Sequence, residues 1–316
     1  MAYNFLVTGG AGFIGSNLVE ALLDRGESVR VVDNFSTGKR ENIEAFVGRT
    51  ELIEGSLIEM EICRRAVEDI DFILHEAALP SVERSVADPV ASNDANVSAT
   101  VRLLTAAKQA RVRRFVYAAS SSAYGDIEAP VKSEDIAPQP KSPYAAAKLA
   151  GEYYCKVFHE VYGLETIALR YFNIFGPNQD PSSPYSAVIP IFITAALDGR
   201  RPTIFGDGRQ SRDFTYVANV VQANLLACQA ADRAAGEVIN VACGERIDLL
   251  GVLDAIGHII GRRTEPQFEA PRPGDVRHSL ADLTKASELL GYRPIVPFAK
   301  GLELTIEWYR SHRNRW

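Results

Sequence analysis

The sequence has few of the residues that build metal sites and disulfide frameworks. Its 316 residues include only five His and four Cys. The cysteines are widely spaced and form no Cys-x-x-Cys pair: Cys63, Cys155, Cys228 and Cys243. This spacing favours reduced, mostly buried thiols over a zinc site or a disulfide framework. We therefore expect no bound metal.

Long apolar runs and an excess of positive charge are also lacking. No apolar run reaches the roughly 20 residues of a membrane-spanning helix, and the first residues lead into a strand-like run without a signal-peptide pattern. The net charge of −6 and the pI near 5.5 argue against a nucleic-acid or membrane-surface partner. We expect a cytoplasmic protein that meets any anionic ligand with local Arg residues or helix N-termini.

Short apolar runs alternate with helical patterns through the first half of the chain. Buried strands are predicted at residues 5–7, 29–32, 72–74 and 115–118, and helices at 14–25 and 95–110. Such alternation predicts a parallel sheet with helices on both faces, a Rossmann-type doubly wound α/β fold.

The character of the chain changes after about Arg170, where Pro and Gly recur between apolar segments. We predict a first domain over residues 1–170 and a smaller C-terminal α/β lobe, mainly residues 171–316, whose loops carry binding groups. The apolar run at 238–241 predicts that residues from about 214 to 245 return to the sheet.

A glycine fingerprint follows the first predicted strand. Gly9 allows a tight turn, Gly12 lets a pyrophosphate approach the backbone, and Gly15 lets the helix pack closely on the strand. A glycine-rich turn without a ligand is the alternative, but the strand, the helix and a downstream acid favour a dinucleotide site. That acid is Asp33, which can accept bonds from ribose hydroxyls and would repel a 2′-phosphate, so NAD is favoured over NADP.

Tyr144 and Lys148 are four residues apart, on one face of a predicted helix. A Lys ammonium beside a phenol favours the phenolate, so we expect Lys148 to lower the pKa of Tyr144 and make it a usable base. Ser120, Ser121 and Ser122 follow the fourth predicted strand, where open sheets bind their ligands. Taken alone the serines could simply cap a loop; beside Tyr144 they predict catalysis at an alcohol.

These motifs together resemble the extended short-chain dehydrogenase/reductase superfamily, and the resemblance covers nearly the whole chain. It implies tightly bound NAD and a homodimer formed through the helix of Tyr144 and the preceding helix. An apolar face over residues 97–107 permits such an interface. Ser56 departs from the family, which usually has an adenine-binding acid there. The implied cofactor contacts are Gly9, Gly12, Phe13, Ile14, Gly15, Asp33, Asn34, Ser56, Leu57, Ala77, Ala78, Asn96, Tyr144 and Lys148.

The family likeness also implies the catalytic roles. Ser120 takes the hydroxyl role beside Tyr144 and Lys148. Members that eliminate water or decarboxylate carry acidic residues just after that hydroxyl, where this chain has Ser121 and Ser122. Oxidation followed by return of the hydride to the same carbon needs no such acid, so the chain is similar to the sugar-nucleotide epimerases.

The substrate residues implied by the family lie mostly in the second half. Asn173, Arg212 and Arg272 match segments that meet the nucleotide diphosphate, and two guanidiniums from separate loops can clamp it. Val188 lies in the stretch 185–190 that resembles the uracil cover, although a core position explains it equally well. Further implied contacts are Ser81, Ser120, Ser121, Ser122, Tyr144, Asp275 and Ser279.

The stretches 117–122, 187–190, 222–226 and 274–279 resemble a branch of this family, the bacterial UDP-N-acetylglucosamine 4-epimerases of surface-polysaccharide synthesis. In that branch the residue at Ser279 is a gatekeeper, and a small side chain there leaves room for an N-acetyl group. We predict reversible C4 epimerisation of UDP-N-acetylglucosamine and UDP-N-acetylgalactosamine with bound NAD. The alternatives are a UDP-glucose/UDP-galactose 4-epimerase, a sugar-nucleotide dehydratase or decarboxylase, and a non-catalytic NAD-binding scaffold.

Overall fold

The structure is a computed structural model that describes residues 2–182, 187–271 and 277–316. The strands are β1 Asn4–Thr8, β2 Ser28–Asp33, β3 Glu51–Glu54, β4 Phe72–His75, β5 Arg114–Ser120, β6 Glu165–Tyr171, β7 Ile174–Phe175, β8 Thr203–Phe205, β9 Ser211–Asp213, β10 Thr215–Tyr216, β11 Val238–Val241, β12 Arg246–Asp248 and β13 Gln267–Glu269. The α-helices are α1 Phe13–Asp24, α2 Met60–Ala66, α3 Val82–Ala87, α4 Pro89–Asn93, α5 Ala99–Ala110, α6 Pro143–Tyr162, α7 Val188–Asp198, α8 Val217–Gln229, α9 Leu249–Ile260, α10 Thr284–Leu290 and α11 Phe298–Ser311.

Seven parallel strands form the central sheet in the order β3-β2-β1-β4-β5-β6-β11. Every residue of β4 is buried, as expected of a strand covered on both faces. The strand order reverses direction between β1 and β4, because the chain first builds outward to β3 and then returns to the other side of β1. The predicted Rossmann-type α/β fold is confirmed.

Helices cover both faces of this sheet. On one face α1 and α8 bury residues such as Leu18 and Val220 against the strands. On the other face α2, α5 and α6 contribute Cys63, Leu103 and Cys155 to a second core. Two separate apolar layers therefore hold the carboxyl ends of the strands in a fixed arrangement.

The structure differs from the sequence-based expectation at two places. The segment predicted as one helix over 95–110 begins with a π-helical turn, Asp94–Ser98, before α5. The edge strand β3 was not predicted, because only Ile53 of its four residues is buried and no apolar run marks it. β11 lies at the far edge of the sheet beside β6; the boundaries of the two domains stay a prediction.

The C-terminal lobe packs around a third apolar core. Its elements include α7, α9 and α11, with two-stranded pairings of β12 with β9 and β13 with β8. In the three described ranges no helix is long and apolar enough to cross a membrane.

Candidate active site

A cavity of about 640 Å³ opens at the carboxyl ends of the strands, where the strand order reverses. Its wall combines the turn after β1, the end of β2, the segment after β4 and the first turns of α6. Open α/β sheets bind their ligands at this place.

Only glycine fits at two positions, one in the turn between β1 and α1 and one in the first turn of α1. Gly9 has a φ of +66°, and a Cβ there would lie 2.8 Å from the backbone of Ala77. A Cβ on Gly15 would lie 2.1 Å from the carbonyl oxygen of Gly9. Gly12 stands at the N-cap of α1 without a side-chain cap, so the first N–H groups of the helix remain for a phosphate. The turn therefore fits the pyrophosphate of a dinucleotide.

Asp33 lies at the end of β2 on the cavity wall. Its carboxylate accepts the N–H of Ala11 at 2.9 Å and the N–H of Phe35 at 2.8 Å. Burial nevertheless raises its pKa, while these backbone donors act in the opposite direction. The carboxylate thus fixes the glycine turn, and its free lone pairs suit ribose hydroxyls.

Most of the predicted cofactor residues come together on this one wall. Besides the glycines and Asp33, the cavity is lined by Phe13, Ile14, Asn34, Ser56, Leu57, Ala77, Ala78, Ser81, Tyr144 and Lys148. Ser81 has a φ of +98°, a strained value that functional sites often retain.

Asn96 is not on the wall but behind it. Its side chain is buried, accepts the N–H of Leu79 at 2.8 Å and donates to the Leu79 carbonyl at 3.2 Å. In this structure Asn96 supports the loop that follows β4, and direct contact with the cofactor stays a prediction.

The first turns of α6 position the Tyr–Lys pair. Ser142 caps the helix by accepting the N–H of Ala145 at 3.1 Å. Lys148, one turn after Tyr144, is buried and donates from Nζ to the carbonyl oxygen of Ala118 at 2.8 Å. The pair is therefore anchored to the end of β5.

The predicted lowering of the Tyr144 pKa is wrong for this structure. Burial is the largest influence and raises the pKa of Tyr144 to about 12; the hydroxyl of Ser120 lowers it, and the charge of Glu76 raises it. Burial also lowers the pKa of Lys148. Desolvation thus outweighs the effect that the four-residue spacing suggested.

The three serines form a tight local arrangement at the end of β5. Ser122 donates from Oγ to Ser120 Oγ at 2.9 Å, and its N–H donates to the same oxygen at 3.2 Å. Ser121 begins the 3₁₀ turn that follows the strand. Ser120 is thus oriented by its neighbour and interacts with Tyr144.

Sequence reasoning missed Glu76 and Tyr171. Glu76 follows β4 and lines the cavity, and it accepts a hydrogen bond from the Tyr171 hydroxyl at 2.7 Å. Only the pairing of distant strands brings these two residues together. The one signal in the sequence was the carboxylate of Glu76, which stands between a buried strand and two alanines.

Three predicted substrate residues meet at β9 rather than on the cavity wall. Asn173 donates to the carbonyl of Asp213 at 3.2 Å, Arg212 lies on the strand itself, and the N–H of Ser279 donates to the carbonyl of Ser211 at 3.1 Å.

The other predicted substrate residues have different settings. Val188 begins α7 and is partly buried against the third apolar core, and its contact with the substrate stays a prediction. Arg272 and Asp275 lie outside the described residues.

The fold and the cavity define a dinucleotide-dependent enzyme with a Tyr–Lys–Ser group at the carboxyl ends of its strands. The model of the NAD dependent epimerase/dehydratase family matches residues 5–242. The chain is 40% identical to a solved UDP-N-acetylglucosamine 4-epimerase of Methanobrevibacter ruminantium in complex with UDP-N-acetylmuramic acid, over 98% of this chain and 99% of that one, with a TM-score of 0.93.

Two further relatives are similar over nearly their whole length. A UDP-glucose 4-epimerase of Mycolicibacterium smegmatis is 39% identical, with 97% of this chain and 98% of the relative covered. A UDP-glucose 4-epimerase of Thermus thermophilus, solved with NAD, is 38% identical over 98% of this chain and 99% of that one, with a TM-score of 0.89.

The chain belongs to the NAD-dependent epimerase/dehydratase family, an extended branch of the short-chain dehydrogenases/reductases, and its cofactor is NAD.

Proposed function

We propose that the protein interconverts UDP-N-acetylglucosamine and UDP-N-acetylgalactosamine by inversion at C4. The main support for epimerisation is the environment of Ser120. Its Oγ accepts a hydrogen bond from the Ser122 hydroxyl at 2.9 Å, and the 3₁₀ turn that follows contains no acidic residue. The similarity to 4-epimerases over nearly the whole chain supports the same choice.

Bound NAD would supply the hydride acceptor, held by the turn of Gly9 to Gly15 and by Asp33. Tyr144 takes the proton of the sugar O4, and Ser120 holds that oxygen by a hydrogen bond. Burial disfavours the phenolate form of Tyr144 that this step needs. A cationic Lys148 would act in the opposite direction and favour the phenolate. The proton returns from Tyr144 to O4 after the 4-keto sugar has turned, and the cycle leaves no net redox change.

Arg212 and Arg272 are proposed to hold the diphosphate together with Asn173, and Asp275 and Val188 to complete the substrate site. Firm binding of the UDP portion leaves the sugar free to turn. The strand β9 supports this arrangement, because Asn173 and Ser279 both hydrogen bond to its backbone beside Arg212.

Acceptance of N-acetylated sugars is proposed from the size of Ser279. Ser279 is only 9% exposed, and the preceding His278 is tied to the Ser211 hydroxyl at 2.8 Å, so the segment leaves little space for a larger side chain to turn away. Relatives named for either sugar are equally similar to this chain, so this choice depends on the gatekeeper argument.

The test is incubation of the purified protein with UDP-N-acetylglucosamine and with UDP-glucose, followed by separation of the products. We expect conversion of the N-acetylated sugar, and a Ser279→Tyr variant should lose it while retaining UDP-glucose conversion as proof of its fold. Ser279→Ala is the matched small variant. Conversion of UDP-glucose alone by the unaltered protein would contradict the substrate proposal.

A homodimer is also proposed, supported by α6. Apolar side chains on this helix remain exposed, with Tyr153 58%, Val157 45% and Val161 64% accessible. The apolar residues of α5, such as Leu103, are instead buried in the core of the chain. Light scattering should give twice the chain mass, and Val157→Glu with Val161→Glu should give one chain mass; a monomeric unaltered protein would overturn the proposal.

A further inference from the structure

The segment after β4 places a carboxylate in the same cavity as the Tyr–Lys pair. The register of the sheet pairs His75 with Tyr117, so the next residues, Glu76 and Ala118, are neighbours at the strand ends. Ala118 gives its carbonyl oxygen to Nζ of Lys148 at 2.8 Å. Glu76, Ala118 and Lys148 all line the cavity.

Two side chains hold this carboxylate in place. The Tyr171 hydroxyl donates to Glu76 Oε1 at 2.7 Å, and Asn224 Nδ2 donates to the Tyr171 oxygen at 2.8 Å. Asn224 itself is anchored by its Nδ2, which also donates to the Val220 carbonyl at 2.9 Å on α8. A chain of hydrogen bonds that begins on α8 thus orients a cavity carboxylate for which the proposed reaction has no role.

We propose that Glu76 is a positioning residue whose negative charge sets the protonation states of Lys148 and Tyr144. The inference depends on the proposed roles of that pair and extends them. An anion at this place stabilises the ammonium form of Lys148 and opposes the phenolate form of Tyr144. The charge of Glu76 therefore influences the protonation of both Lys148 and Tyr144.

The titratable groups around Glu76 are few among the described residues. Lys148 and Tyr144 face it from α6, Tyr171 faces it from β6, and His75 precedes it on β4. Burial raises the pKa of Glu76 and lowers that of Lys148, whereas each charge favours the charged form of the other. His75 is kept neutral by burial, which lowers its pKa to about 3. Glu76, whose pKa burial raises to about 7, is an anion above neutral pH, and it acts on Lys148 together with the buried Glu152, which is paired with Arg170.

The direct test replaces Glu76 with Gln, which keeps the acceptor for Tyr171 but removes the charge. Loss of the anion lowers the pKa of both Lys148 and Tyr144. Both limbs of the pH profile of kcat/KM should therefore move to lower pH, by about one pH unit. A role in packing alone would reduce the rate without moving both limbs in the same direction.

A second readout does not depend on activity. The pH dependence of acetylation of Lys148, followed by mass spectrometry of its peptide, reports the pKa of its amine. The midpoint should fall by about one pH unit in Glu76→Gln. Tyr171→Phe removes the donor that favours the anion, so it should give a smaller shift in the same direction and serves if Glu76→Gln does not fold.

Glu134→Gln is the matched control, because Glu134 is also a partly buried carboxylate that accepts a backbone N–H, that of Asn240 at 2.7 Å, away from the cavity. It should leave the midpoint unchanged. An unchanged midpoint in Glu76→Gln would overturn the role of Glu76 and leave the proposed function intact. Full activity in Tyr144→Phe would instead overturn the proposed function while the acetylation result stood.

Discussion

Lys148 donates from Nζ to the carbonyl oxygen of Ala118 at 2.8 Å, which anchors the helix α6 to the strand β5. The lysine is buried, so its ammonium group depends on this acceptor and on the charge of nearby carboxylates. Replacement by Met removes the cation that is proposed to support the phenolate.

We therefore expect Lys148→Met to lower kcat by about 100-fold or more, measured as initial rates of epimer formation. Lys156→Met on the same helix is the control, since its exposed side chain pairs with Glu160 at 3.8 Å. A Lys148→Met variant with an unchanged kcat would exclude a role for this cation.

Gly15 lies where the helix α1 passes closest to the turn before it. A Cβ there would lie 2.1 Å from the Gly9 carbonyl oxygen, so Gly15→Ala must displace the backbone that is predicted to bind the pyrophosphate. The variant should be purified with much less NAD, measured by release of the nucleotide on denaturation. Gly163→Ala is the control: its φ of +70° costs about 1 kcal/mol of stability, but the residue is far from the cavity wall and NAD content should not change.

The cofactor half of the site could be predicted from the sequence, but the charge network could not. No Cβ fits at Gly9 or Gly15, so the glycine spacing in the sequence was enough to predict the turn. Glu76 depends on Tyr171, 95 residues later, and only the folded sheet joins them. The pKa of Tyr144 was predicted wrongly, because the spacing to Lys148 says nothing about how far the phenol is removed from water.

Arg212 lies on β9 beside Ser211, whose backbone meets Ser279. If it clamps the diphosphate, Arg212→Ala should raise KM for UDP-sugars about 10-fold or more, because one charge-assisted contact contributes about 1.5–3 kcal/mol, and kcat should change less. Arg209→Ala provides the comparison: this neighbouring Arg is exposed and faces Asp248 at 3.9 Å. Equal KM values for the two variants would argue against the clamp.

His75 predicts how stability depends on pH. It is fully buried between the hydroxyls of Thr8 at 2.7 Å and Thr100 at 2.9 Å, and burial lowers its pKa to about 3. Because the unfolded chain binds this proton near pH 6.5 and the folded chain does not, stability is complete above pH 6.5 and falls as the pH drops towards 3.

The free energy of unfolding should fall by about 2 kcal/mol between pH 7 and pH 5 because of His75. Urea unfolding at the two pH values measures this change. His75→Gln should reduce this pH dependence, whereas His258→Gln, an exposed position, should leave it as it is. An unaltered slope in His75→Gln would show that other groups cause the acid sensitivity.

In the proposed reaction the hydride leaves C4 and returns to C4 of the same sugar. UDP-N-acetylglucosamine with deuterium at C4 distinguishes this from elimination, in which the label moves to another carbon or is lost to water. We predict that mass spectrometry and NMR of the UDP-N-acetylgalactosamine formed will show the deuterium retained at C4. Loss of the label, its transfer to C6, or the absence of any epimer would contradict this reaction.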